Sequence, residues 1–352
     1  MWDKANLKTG VVRRVSGGVI LLLVLLMLVM AFSILVGTER IPPGTAARII
    51  GAHVTGRAVP SDSQFSDTYD TIIWDIRVPR VLLAAIVGML LASAGAALQG
   101  LLLNPLADPY TVGVSSGAAL GAAIAVVLGL SGWLYGFGVP AVAFVFACGA
   151  MLAVYSLSRF GGRVSIHSFL LAGIVVGAFL WALLTFVMTL ARQDLATIIR
   201  WLLGSFDAPY PWAYVVMTLP FAAFGLAVIY ALARDLNVFS LGEETARHLG
   251  IETEGLKAVV IVATSLITAA AVSASGIIGF VGLIVPHMAR RIFGADHRVL
   301  LPTAAIAGAI LTVLADTAAR SLGELPVGVI TAMLGAPFFL YLLRRSQSLA
   351  SR

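Results

Sequence analysis

Long runs of uncharged, mostly apolar positions organise this chain. Between charged residues they cover 15–38, 81–107, 109–158, 164–191, 208–233, 258–289, 299–315 and 325–343. About 20 apolar residues cross a bilayer core as a helix, so each interval predicts at least one membrane span. The interval 109–158 has room for two, broken at GLSGWLYGFGVP (129–140). The interval 258–289 is long for one helix and short for two, and SASGIIG at 273–279 offers the break. The pattern predicts an all-α polytopic bundle of about ten transmembrane helices, a single domain over 1–352, with spans seven and eight the least sharply bounded.

Composition agrees with lipid as the solvent. Of the 352 residues, 60% are hydrophobic and 11% charged, against about 45–50% and about 25% in a soluble domain. Lys4, Lys8, Arg13 and Arg14 precede the first apolar run as in a signal peptide. That run, 15–38, exceeds the usual apolar core of about 7–15 residues, and no small-residue cleavage site follows at LVGTERIPP, so a retained first span is expected. The lone Cys148 forms no intrachain disulfide.

Charge sets the orientation. The formal net charge is +6, yet only three lysines occur (Lys4, Lys8 and Lys257) and no basic run is interleaved with aromatics, which argues against a nucleic-acid partner. With ten spans and both termini cytoplasmic, fifteen of the 23 basic residues lie inside, in line with the positive-inside bias. The eight outside are Arg40, Arg48, Arg57, Arg77, Arg80, Arg192, Arg200 and Arg320. A single span over 258–289 would move Arg290, Arg291, Arg344 and Arg345 outside and collapse the bias. Residues 39–80 then form an outer loop and 234–257 a cytoplasmic one. Small residues at four-residue spacing (Gly113, Gly117, Gly121, Ala125, Gly129; and Gly88, Ala92, Ala96, Gly100) suit close helix packing in lipid.

The stretch FSLGEETARHLGIETEGLK (239–257) breaks this apolar chain with a compact charged segment. Ser240 and Glu243 have capping-box spacing, and Gly250 is placed to stop a helix. A helix of about nine residues, roughly 13 Å long, is predicted. Leu241, Thr245, Leu249 and Ala246 would share one side, edged by Glu243, Glu244, Arg247 and His248. So short a helix needs the membrane surface or a partner to hold it, unless it is merely a solvated loop helix. Elsewhere, Asp316 and Arg320 are spaced for an i, i+4 ion pair. Gln99, Asn104, Pro105 and Asp108 surround a proline-broken turn, NPLADP. None of His53, His167, His248, His287 and His297 pairs at ligand spacing, and no metal site or catalytic constellation stands out. No lysine follows a glycine, so the chain lacks a phosphate-binding loop and cannot hydrolyse ATP.

Four ordered blocks carry a resemblance: RVPRVLLAAIVGMLLASAGAALQGLLLNPLADPYTVGVSSGAALGA (77–122), LGEETARHLGI (241–251), SGIIGFVGLIVPHMARRI (275–292) and ELPVGVITAMLGAPFFLYLLRR (324–345). They resemble the FecCD-type permeases, the membrane subunits of type II ABC importers for iron–siderophore complexes, haem and cobalamin. The resemblance implies a cobalamin-permease-like bundle in a bacterial or archaeal cytoplasmic membrane, in contact with lipid. It also implies a homodimer with a translocation pathway between the copies. Two separate ATPase subunits, which bind the ATP and Mg, would dock on a coupling segment made of Ser240, Leu241, Gly242, Glu243, Glu244, Arg247, Leu249 and Gly250. A substrate-binding protein would dock outside on Arg77, Arg80 and Arg320, and Asn104, Pro105 and Asp108 would form a turn or an inner gate. No cofactor is expected in this chain. An iron chelate is the expected cargo, with cobalamin the alternative. An ion-gradient-driven secondary transporter and a non-transporting membrane scaffold are the rival classes; the former would need ion sites at broken helices, for which only 273–279 is a candidate.

Overall fold

Helices follow the predicted apolar intervals in order. The computed structural model describes residues 4–37, 39–57, 66–134, 136–191 and 193–350. Helix α1 (Lys4–Leu35) leads to α2 (Pro43–Thr55) and α3 (Ser66–Asp70). A π-helical segment, Thr71–Arg77, joins α3 to α4 (Val78–Leu101) without interruption. Next come α5 (Val114–Val127), α6 (Gly138–Ser158), a two-stranded hairpin of β1 (Arg159–Phe160) and β2 (Arg163–Val164), and α7 (Ile166–Leu190). The short α8 (Leu195–Leu202) precedes α9 (Pro211–Ala231), α10 (Ala233–Phe239) and α11 (Glu243–His248). The chain closes with α12 (Thr253–Ser275), α13 (Val281–Phe293), α14 (His297–Ser321) and α15 (Val327–Ala350). Of the charges used for orientation, Arg192 and Arg352 lie outside the described residues, as does Thr38 at the end of the first interval.

Among the described residues, seven helices are long and apolar enough to cross a membrane, and α5 and the Val327–Leu340 part of α15 are shorter apolar helices. The interval 258–289 does divide. Helix α12 ends at Ser275, residues 276–279 form no regular structure, and α13 begins after Phe280, whose φ of 68° is left-handed. Its second piece is only 13 residues, about 20 Å of helix, less than a bilayer core of about 30 Å.

Helix α4 is the axis of the bundle and is buried over nearly its whole length. It lies antiparallel to α14. Arg80 meets Asp316, Gly88 lies against Gly308 and Gly100 faces the His297 ring. One turn before its end, Gly95 touches the Gly282 carbonyl of α13. In lipid, helices associate by close packing rather than by hydrophobic drive, so these bare backbones are what bring the helices together. Gly117 and Gly121 do the same for α5 on α6, whereas Gly113 and Gly129 of the predicted stripe sit at helix ends with positive φ. Gly95→Ala is expected to cost about 1–3 kcal/mol or more in thermal unfolding, because the new methyl group meets backbone that cannot yield. Gly149→Ala, on α6 with nothing near the new atom, serves as the control and should be neutral or mildly stabilising.

Most of the described part of 39–80, the expected outer loop, is helix. Ile41, Ala46, Ile49, Ile73 and Val78 form a small core of their own with Trp74 and Trp212 against it. The His53 ring stacks on Trp74 at 4.3 Å and its Nε2 lies 2.8 Å from Asp70, while Trp212 donates to the Trp74 carbonyl. The sequence hides this because α2 is too short to stand out by periodicity and the helix entering α4 begins fifteen residues before the uncharged run.

Candidate functional site: the coupling segment and the opposite arginine cluster

At one end of the bundle, α10 and α11 hang between α9 and α12. The predicted capping box does not form. The Ser240 hydroxyl donates back to the Asn237 carbonyl, Gly242 is the N-cap residue of α11, and the helix has six residues rather than about nine. Glu243 is the first residue of α11 rather than its third, and its Oε1 accepts from Arg247 at 3.0 Å and from Lys257 at 2.9 Å. The stop is as predicted: Gly250 has φ 87°, its N–H reaches the Arg247 carbonyl and that of Ile251 reaches Ala246, a Schellman closure. Sidedness also differs from the expected stripe. Ala246 is fully buried, while Leu241 and Leu249 are 66% and 63% exposed alongside Glu244, Thr245 and His248.

What holds so short a helix is a set of buried contacts. Lys257 in the second turn of α12 is 2% exposed and donates to the Val164 carbonyl at 2.7 Å as well as to Glu243. Glu254 pairs with Lys257 at 2.7 Å, and its other oxygen accepts from the Val164 amide at 2.9 Å. Arg247 also reaches the Thr253 hydroxyl. On the far side, Asn237 donates to Asp296 at 2.6 Å, and its oxygen accepts from the His297 amide and ring Nδ1. Asp296 itself caps α14. The segment is thus clamped to the β-hairpin and to the α13–α14 turn. Neither Lys257 nor Asn237 emerges as a site residue from the sequence; the only signal is that Lys257 is the one lysine beyond the N-terminus.

Beside the segment lies a recess lined by Asn104, Arg163, His167, Arg247 and Lys257. The NPLADP turn is built by its own side chains. The Asn104 oxygen accepts from the Leu106 amide, the Asp108 carboxylate caps a short 3-10 turn through the Tyr110 amide, and Pro105 is exposed. Gln99 donates to the Ala107, Gly282 and Leu283 carbonyls, tying the turn to α13. Burial raises the Asp108 carboxyl to about 6 despite the opposing Tyr110 amide.

At the other end of the bundle Arg77, Arg80 and Arg320 converge, and each is turned inward. Arg77 is 5% exposed and donates to the Ile34 and Glu39 carbonyls. Arg320 reaches the Val36 and Ser33 carbonyls. Together they satisfy backbone acceptors that the end of α1 leaves open. The predicted Asp316–Arg320 pair is present at 3.0 Å, and Asp316 also pairs with Arg80 at 2.9 Å. Two guanidinium groups, of Arg80 and Arg320, share one fully buried carboxylate, and Arg77 lies beside Arg320 on the backbone carbonyls at the end of α1.

The residues 21–345 match the model of the FecCD transport family. The chain belongs to the FecCD transport family. Among similar relatives, the uncharacterized ABC transporter permease protein YvrB of Bacillus subtilis is 42% identical over 314 residues, 88% of each chain. The cobalamin import system permease protein BtuC of Halobacterium salinarum is 44% identical over 288 residues, covering 82% of this chain and 77% of its own. A solved structure described as a metal-chelate type ABC transporter in an inward-facing conformation superposes with a TM-score of 0.79 at 30% identity, covering 93% of this chain and 98% of the other. As a FecCD permease, this chain is a multi-pass protein of the cytoplasmic membrane and an ABC importer permease.

Proposed function

We propose that this chain is the membrane-spanning subunit of an ATP-driven importer for a metal chelate, with cobalamin the leading cargo. The observation that carries the reading is a short helix clamped on its inner side by Lys257, Glu254 and Asn237 while presenting Leu241, Glu244, His248 and Leu249 to the outside. A chain with no phosphate-binding loop needs that surface for an ATPase made by another gene. In this reading the Lys257 end and both termini face the cytoplasm. The arginine end faces outward, toward the substrate-binding protein. A second copy of the chain covers α7, whose Leu171, Ile174, Phe179 and Phe186 are exposed, and the cargo passes between the copies.

Cobalamin leads because relatives at 44% and 40% identity are named for its import. An iron chelate is the second reading, favoured by the likeness to a structure described as metal-chelate type. The test is uptake into proteoliposomes carrying this chain with its neighbouring ATPase and binding protein. Labelled cobalamin should accumulate only with ATP and the binding protein. Accumulation of ferric siderophore or haem instead would move the cargo; uptake driven by an ion gradient without nucleotide would remove the ABC reading.

A further inference from the structure

Lys257 is chemically unusual here. Its ammonium group donates to the Val164 carbonyl and to Glu243, and it is ion-paired with Glu254 at 2.7 Å. These belong to three separate pieces of chain: the hairpin between α6 and α7, the coupling helix α11, and α12 itself. Because Glu254 also accepts from the Val164 amide, both backbone groups of Val164 are bound to the first turns of α12. The charges balance, with Glu243 and Glu254 against Lys257 and Arg247.

The hairpin needs such a hold. It has only two residue pairs, Arg159 with Val164 and Phe160 with Arg163, and a two-stranded ribbon this short has little stability of its own. At its tip Gly161 and Gly162 both take left-handed φ, 58° and 82°, the requirement of the tight turn that matches strand twist. The residue after Val164, Ser165, is the N-cap position of α7, so whatever moves Val164 moves the start of α7.

We propose that Lys257, assisted by Glu254, is the positioning residue that makes the α6–α7 hairpin and the coupling helix move as one body, carrying displacement of α11 directly into α7. This deepens the reading of the chain as an ATP-driven permease and rests on it. Lys257 is 2% exposed and all its recorded polar contacts lie within the chain, so its role is transmission and not docking.

The test uses the full complex of chain, ATPase and binding protein in lipid nanodiscs and proteoliposomes, with Cys148 replaced by Ala. Spin labels at two exposed positions, Phe160→Cys and Thr245→Cys, report the hairpin-to-helix distance. In the chain retaining Lys257 that distance should stay constant between nucleotide-free and ATP-trapped states. A change of about one helical turn, roughly 5 Å, overturns the proposal. Lys257→Met should still co-purify with the ATPase, broaden the distance distribution, and lower cargo imported per ATP hydrolysed by about tenfold, the size of a typical coupling term. Glu254→Gln keeps an oxygen for the Val164 amide and should show a smaller loss. Unchanged import per ATP in Lys257→Met, or a distribution as narrow as with Lys257, overturns the assignment. Failure of the unsubstituted chain to bind any ATPase would instead defeat the importer reading, so the two failures are separable.

Discussion

Asp316→Asn should destabilise this protein more than any other single conservative change, by about 3–5 kcal/mol, the range for breaking a buried ion pair from one side. Asparagine keeps the shape of aspartate, so packing is preserved and the loss reports charge. The carboxylate is fully buried and within 3.0 Å of both Arg80 and Arg320, with Arg77 close by. Without it, the guanidinium groups repel one another in a poorly hydrated site. Arg320 would withdraw from the Ser33 and Val36 carbonyls, and α1 would lose part of its anchor. Thermal unfolding in detergent should show the drop, and limited proteolysis near residues 33–37 should become faster. A loss below about 1 kcal/mol would mean that water already reaches the cluster and that the pair is worth no more than a surface one.

Leu241→Asp combined with Leu249→Asp should leave folding intact and sharply weaken binding of the ATPase. Both side chains stand more than half exposed at the ends of α11, and neither contributes to the clamp around Lys257. Losing two apolar anchors from the centre of a small interface costs on the order of 2 kcal/mol or more, roughly a thirtyfold weaker association. Titration of the ATPase subunit onto the chain in nanodiscs measures it. Retained affinity would shift the docking surface away from this helix. Ala246→Asp makes a useful contrast, because that position is fully buried and the change should damage the fold itself. Charge reversal at Arg77 is a poor probe of docking on the opposite face. It removes the donors that close the end of α1, so weaker docking would not distinguish a lost contact from a displaced helix.

Much of the functional reading is legible in the order of the amino acids, and the reason is specific. The coupling segment is conspicuous because charge is rare in this chain, so Glu243, Glu244 and Arg247 mark it at once. The helix stop at Gly250 is readable because its conformation is set by neighbours within one turn. The capping box fails for the same cause working in reverse. Its local spacing is correct, but the helix starts at Glu243, and that residue is held by Lys257 through a tertiary contact. The arginines of the opposite end are likewise legible as residues and not as environments: sequence places Arg77 near a helix entrance and says nothing of the α1 carbonyls waiting beside it.

Solvent, the order of the apolar helices and the position of the charged segment at 239–257 follow from the amino-acid order alone. Each rests on transfer free energies and helical reach, quantities that add up along a chain. That Lys257 joins three segments, that Asp316 serves two arginines, and that α4 and α14 touch at Gly88 and Gly308 are matters of packing in three dimensions. Those depend on which distant residues meet in a bundle where close backbone contact, not periodicity, selects the partner.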